Sequence, residues 1–188
     1  MQFHWGIGMS SSKLNNLKMA LGVGGRTNKY RVMLTAGGFN QDQRLIDTLV
    51  QNVTLPGRSL NDIEVWVQGR LIVVAGDASY EGSWTLTFID TQDHKVRRSF
   101  ISWMDYIDDF NNHERYAVNA ASYMGTAKVQ QLSTIDNTVQ VSYILFNIYP
   151  KSISDITYND EQSELIKFDV EFKYTHWVEE GKQENEGV

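Results

Sequence analysis

Between Ile166 and Tyr174 every second residue is large and apolar: Ile166, Phe168, Val170, Phe172 and Tyr174 alternate with Lys167, Asp169, Glu171 and Lys173. Side chains of a β-strand point alternately to opposite faces, so this run has one packed face and one polar face. Val139 to Ile148 has the same rhythm, with Val139, Val141, Tyr143 and Leu145 set against Gln140, Ser142, Ile144 and Phe146. Ser83 to Ile89 places Trp84, Leu86 and Phe88 on one face. A chain built on such segments is mainly β.

Earlier strands are bounded by turn chemistry. Tyr30 to Thr35 ends at Gly37-Gly38, Leu45 to Val53 reads as a second strand closed by Leu55-Pro56-Gly57, and Ile63 to Ala75 is divided by Gln68-Gly69-Arg70. One helix interrupts the series, from about Asp93 to Ile107 behind a cap at Asp90 or Thr91. Val96, Phe100, Trp103, Met104 and Ile107 form its apolar stripe, with Lys95, Arg97 and Arg98 outward. Trp84, Phe100 and Trp103 are the expected helix-on-sheet core.

The termini differ from this body. Residues 10 to 21 carry Leu14, Leu17, Met19 and Leu21 behind serines and before Gly22, the pattern of a short amphipathic helix. Gly22-Val23-Gly24-Gly25 reads as a hinge, because it precedes a strand instead of opening a helix as a phosphate-binding loop must. Three regions follow: an N-terminal arm over 1–26, a β-domain over 27–177, and an acidic tail over 178–188 that is expected to be disordered.

Composition narrows the chemistry. The 188 residues hold no cysteine, which removes disulfides, thiolate metal sites and cysteine nucleophiles. A net charge of −6 is the opposite of a nucleic-acid-binding footprint. No apolar run approaches the roughly 20 residues needed to cross a bilayer, and Met1-Gln2-Phe3-His4-Trp5 lacks the order of a signal peptide, so synthesis in the cytoplasm is expected. His4, His94, His113 and His176 stand singly without ligand spacing. Asp105, Asp108 and Asp109 read as a solvated helix end or a subunit contact. Asn52-Val53-Thr54 reads as strand sequence. No serine elbow or other local catalytic signature is present, so neither an enzyme, a cofactor nor a metal is expected.

The order of elements resembles the tail tube proteins of contractile-tailed bacteriophages. The resemblance is carried by Leu55-Pro56-Gly57, by Val73-Val74-Ala75-Gly76-Asp77, and by Trp84-Thr85-Leu86-Thr87-Phe88 leading through Asp93 into a helix with Phe100 and Trp103. Ile148-Tyr149-Pro150, Ile153-Ser154 and Ile166 to Phe172 complete it. It spans roughly residues 27 to 177, while the arm and the acidic tail depart from the shorter family pattern. It implies two antiparallel sheets forming a barrel-like sandwich flanked by one α-helix. It also implies hexameric rings sharing a continuous inner barrel, stacked inside a sheath as a conduit for phage DNA in the virion. Implied partners are copies of the chain itself, the sheath, tape-measure, baseplate and tail-terminator proteins, and transiting DNA without specific binding.

A baseplate tube-initiator protein and the tube of a related injection machine share this fold, and a monomeric small-ligand β-barrel is the alternative from another class. On the tube reading, Leu14, Leu17 and Leu21 of the arm and Leu55, Pro56 and Asp77 of the body are interface candidates. Glu64, Asp77, Asp169 and Glu171 are candidates for the lumen wall.

Overall fold

The computed structural model describes residues 27–37, 39, 42–108, 119–158 and 164–181. Along the chain these form β1 (Tyr30–Ala36), α1 (Gln43–Leu49), β2 (Val50–Val53), β3 (Arg58–Val67), β4 (Arg70–Tyr80) and β5 (Ser83–Ile89). There follow α2 (Lys95–Ile107), α3 (Ala120–Tyr123), β6 (Gly125–Leu132), β7 (Val139–Ile153), β8 (Lys167–Lys173) and β9 (His176–Glu179). All strand pairs are antiparallel, in the order β1-β6-β7-β8-β5-β2 with β9 beside β7, while β3 pairs only with β4.

β7 joins the two layers of the sandwich. Its first half pairs with β6 and β9, and its end, from Tyr149 to Ile153, pairs with β8. Asn147 between the halves adopts φ 57, in the left-handed region, and the register against β6 slips beside it. This is a bulge, which inserts one residue and bends the strand. The inserted residue also shifts the phase, so the core positions Leu145 and Ile148 lie an odd number of residues apart and the simple alternation expected over Val139–Ile148 breaks. Ser142, expected on the polar face, is buried and accepts a hydrogen bond from Gln130 Nε2 at 2.9 Å.

The core fills the space between the layers. Trp84, Leu86 and Phe88 of β5 and Phe168, Val170 and Phe172 of β8 meet Val96, Phe100 and Trp103 of α2. Phe39 lies 5.1 Å from Phe100 and 5.3 Å from Trp103, centroid to centroid, and Phe172 touches Trp84, Phe100 and Trp103. Both buried indoles keep a partner: Trp84 Nε1 donates to Thr54 O at 2.7 Å and Trp103 Nε1 to Tyr123 O at 2.9 Å. Gly125 permits the close approach of β6 to β1, because a Cβ there would stand 2.2 Å from Thr35 O.

Four local readings are corrected. Leu45–Val53 is not one strand: its first part is α1, capped by the Asp42 side chain accepting from Arg44 N at 2.9 Å, with Ile46 buried and only Val50–Val53 extended. α2 begins at Lys95 and not at Asp93, since the Asp90 carboxylate, expected as a cap, is engaged by His94 Nδ1 at 2.6 Å and by Thr91 N at 2.9 Å. Arg97 turns inward, donating to Ser154 O at 2.8 Å and lying over Phe168. The flanking helix is not single, because α1 and α3 accompany α2.

The C-terminal boundary also moves outward. Val178 and Glu179, assigned to the tail, pair with Ile144 and Tyr143, and Glu180 binds Lys128 Nζ at 2.6 Å. The rest of the expected tail, from 182, lies outside the described residues, as does the arm over 1–26.

Candidate assembly surface

β2 and β5 pair at one end of the sheet, and past Pro56-Gly57 and Glu81-Gly82 the same two chain segments continue as β3 and β4. The long hairpin closes at Gln68 and Gly69, both at positive φ, the geometry of the two-residue turns that suit twisted strands. Cross-strand partners share a face. Ile63↔Val74, Val65↔Ile72 and Val67↔Arg70 therefore define one face, and Asp62↔Ala75, Glu64↔Val73 and Trp66↔Leu71 the other.

The first face is apolar apart from Arg70, and it is bare. Ile63, Val65, Val67, Ile72 and Val74 are each 43–52% exposed. The second face mixes the exposed carboxylates of Asp62 and Glu64 with Trp66, Leu71 and Val73, Trp66 being 68% exposed. Among the described residues no strand pairs with the outer edge of either β3 or β4. Two unpaired edges flanked by β-branched and aromatic residues are a template for another chain.

The base of the hairpin is fixed by aromatic packing. Trp177 of β9 donates Nε1–H to Gly57 O at 3.2 Å and meets Tyr80 edge-on at 6.3 Å. Tyr80 also meets His176 and carries the Arg58 guanidinium 5.7 Å from its ring centre, while His176 stacks on Phe146 at 4.9 Å. From sequence, Trp177, Tyr80 and Arg58 were not singled out, and Gly57, Phe146 and His176 were named for other reasons. The signal was present in Trp177, a large aromatic in a stretch assigned to the end of the domain.

The sequence candidates divide as follows. Leu14, Leu17 and Leu21 lie outside the described residues. Leu55 is half-exposed beside Pro56 at the foot of the hairpin, and Asp77 sits in a bulge of β4, where a Cβ on the preceding Gly76 would clash with Ile63. Glu64 stands exposed on the mixed face, and Asp169 is exposed on β8 opposite Thr87. Glu171 differs from these. The Ser83 hydroxyl, then Lys151 and Ser152, donate to its carboxylate and hold it down at about 2, with Lys173 at 3.8 Å. Its charge is matched within the subunit.

No group of three or more His, Cys, Asp or Glu among the described residues is placed to hold a metal ion. His94 is paired with Asp90, and Asp105 and Asp108 are exposed near the end of α2, with Asp109 outside the described residues. No helix among them is long and apolar enough to cross a membrane. The apolar groove lined by Tyr30, Val53, Leu55 and Val129 is open at the surface and not enclosed in the sandwich, whose interior is filled by aromatic rings.

A sandwich with a filled core that carries a long apolar hairpin into solvent has the make-up of a structural building block. The chain belongs to the phage tail tube protein family, whose profile matches residues 16–180. Its fold is similar to a chain of the anti-feeding prophage baseplate (11% identity, TM-score 0.61, 82% of this chain and 93% of that one). It is also similar to a chain of the sheath-tube complex of the extracellular contractile injection system PVC (12% identity, TM-score 0.58, 90% and 97%). A third likeness is to the anti-feeding prophage tube-terminating cap (13% identity, TM-score 0.59, 82% and 89%). No curated protein matches significantly. Family and fold are those of structural tube proteins.

Proposed function

We propose that the chain assembles head-to-tail into hexameric rings that stack into the inner tube of a phage tail, the conduit through which DNA leaves the virion. The observation that carries this reading is the two-faced hairpin. Its apolar face and its unpaired edges need cover, while the rest of the chain offers a different surface, so the contact between copies is heterologous, the kind that builds a ring when its rotation closes. Sheath outside the tube, tape-measure protein within it, and baseplate and terminator proteins at its ends are the partners.

On this reading the apolar face of the hairpin is the joint and the mixed face lines the lumen. Glu64 and Asp62 then stand on the wall, with Asp77 at its rim, while Glu171, its charge matched by Lys151 and Lys173, contributes little. Screening confines such charges to about 8 Å at physiological salt, so only wall residues act on DNA. An acidic wall gives a passing phosphate backbone no cations to hold it. Electron microscopy of the purified protein tests the reading. Rings or tubes are expected, and a protein that stays monomeric at high concentration, with or without a nucleating baseplate, overturns it. An initiator at the baseplate is the second reading, suggested by the baseplate likeness, and it differs in forming a single ring that does not elongate alone.

A further inference from the structure

The sheet has another end, at β1, and there the chain supplies its own partner. Val32 and Leu34 direct their backbone groups away from β6 on this edge. Asp47 Oδ1 accepts from Val32 N at 3.0 Å, Gln43 Oε1 accepts from Leu34 N at 2.9 Å, and the Gln43 side-chain amide donates to Leu34 O. Ala36 O, two residues on, accepts from Phe39 N at 3.4 Å. Gln43 and Asp47 lie one turn apart on α1, about 6 Å along the helix axis, close to the roughly 6.8 Å that separates every second residue of a strand. A helix can thus present two side chains at the spacing at which an added strand would present backbone groups.

The helix is held in place for this task. Ile46 is buried in the core, the Tyr30 hydroxyl donates to Val50 O at 3.0 Å just past the helix, and Arg31 Nε lies 3.5 Å from Asp47 Oδ2. The opposite condition holds at the hairpin, where the outer edges of β3 and β4 pair with no strand among the described residues. An open sheet edge invites pairing with any other chain, and proteins that must not aggregate cover it. A chain made to polymerise has a sharper need: one edge must join and the other must not.

We infer that α1 stands in for a neighbouring strand, closing the β1 edge to other copies so that strand-to-strand joints form only at the β3–β4 hairpin. The inference rests on the ring reading for the role of the hairpin, but the guard itself is a property of the free subunit. In that subunit Gln43 and Asp47 take up the Val32 and Leu34 N–H groups and the Leu34 carbonyl, which a second copy would otherwise reach.

Hydrogen exchange read at single amides, on the free and the assembled wild-type chain, tests it. Val32 and Leu34 should exchange equally slowly in both, while amides of β3 and β4 slow on assembly. Assembly that slows Val32 and Leu34 tenfold or more makes β1 a joint and overturns the inference. In a second arm, Gln43→Leu with Asp47→Leu should speed exchange of these two amides by roughly tenfold, the scale of one lost hydrogen bond each. That variant should also divert the chain into thioflavin-positive fibres. Asp47→Asn retains a carbonyl acceptor and should behave as wild type. A double variant that stays soluble and forms rings at the wild-type rate refutes the guard, and one that fails to fold leaves the wild-type exchange to decide. A wild-type chain that never assembles sinks the ring reading instead, and the guard is then judged by fibre formation in the double variant.

Discussion

Ile72 and Val73 are adjacent in β4, similar in shape and similarly exposed at 49% and 55%, but they point to opposite faces of the hairpin. Replacing each by asparagine separates the two faces with the same chemistry and no change of charge. Burying an aliphatic side chain completely is worth about 1.5–3 kcal/mol, so Ile72, already half-covered, has about 1 kcal/mol left to gain at a joint. An asparagine amide enclosed there without a partner adds a penalty of about 1–3 kcal/mol. Ile72→Asn should therefore weaken each joint by about 2–4 kcal/mol, roughly 30- to 1,000-fold in affinity. In the free subunit both variants are surface changes, with melting shifts of about 0.5 kcal/mol or less beyond the small loss of β-propensity. Sedimentation velocity and negative-stain microscopy read the result: Ile72→Asn should remain monomeric at concentrations where wild type and Val73→Asn form rings. Equal assembly of both variants, or loss of assembly in Val73→Asn alone, would show that the apolar face is not the joint.

Further expectations address the body of the subunit. Trp103→Ala should cost about 3–5 kcal/mol in urea unfolding as a large-to-small core change; an unchanged midpoint would remove Trp103 from the core. Asn147→Val should cost about 1–2 kcal/mol, the scale of left-handed backbone strain, whereas Asn147→Gly should fold as well as wild type; the reverse order would contradict the bulge. Glu171 is held at about 2, below its ordinary 4.5, so its contribution is complete above pH ~4.5 and is lost as pH falls toward ~2. Over that window the melting temperature of Glu171→Gln should fall less than that of wild type, and parallel curves would discount the Ser83 and Lys151 contacts. Deleting residues 1–24 should leave the far-ultraviolet spectrum of the β-body intact but weaken assembly; normal polymerisation would take the arm out of the mechanism.

What sequence discloses depends on which face a neighbour covers. β8 and β5 were legible because one face meets the core and the other meets water, and period two records that difference directly. α1 was not, because Leu45, Ile46, Leu49, Val50 and Val53 suit a helix running into a short strand as well as one continuous strand; the Asp42 cap was the available clue. Asn147 concealed its bulge inside a run that alternates on paper. The hairpin is a different case. Leu71-Ile72-Val73-Val74-Ala75 has the continuous apolar character of a strand buried on both sides, yet it is exposed among the described residues, and on the ring reading the neighbouring copy provides the burial. Glu171 could be read as an acidic wall residue because nothing local in sequence announces Ser83 and Lys151.

The aromatic cluster at the foot of the hairpin has a mechanical consequence. Ten residues of strand at about 3.3 Å each make an arm of roughly 33 Å, pivoting where Trp177 and Tyr80 grip Gly57 and Arg58. A tilt of only ~5° at that pivot moves the tip by about 3 Å, nearly one residue of strand register. On the ring reading, the stiffness of a few rings packed edge to face therefore sets how far a stack of such subunits can flex before its strands fall out of step. Softening the pivot should yield crooked cylinders well before it yields unfolded protein.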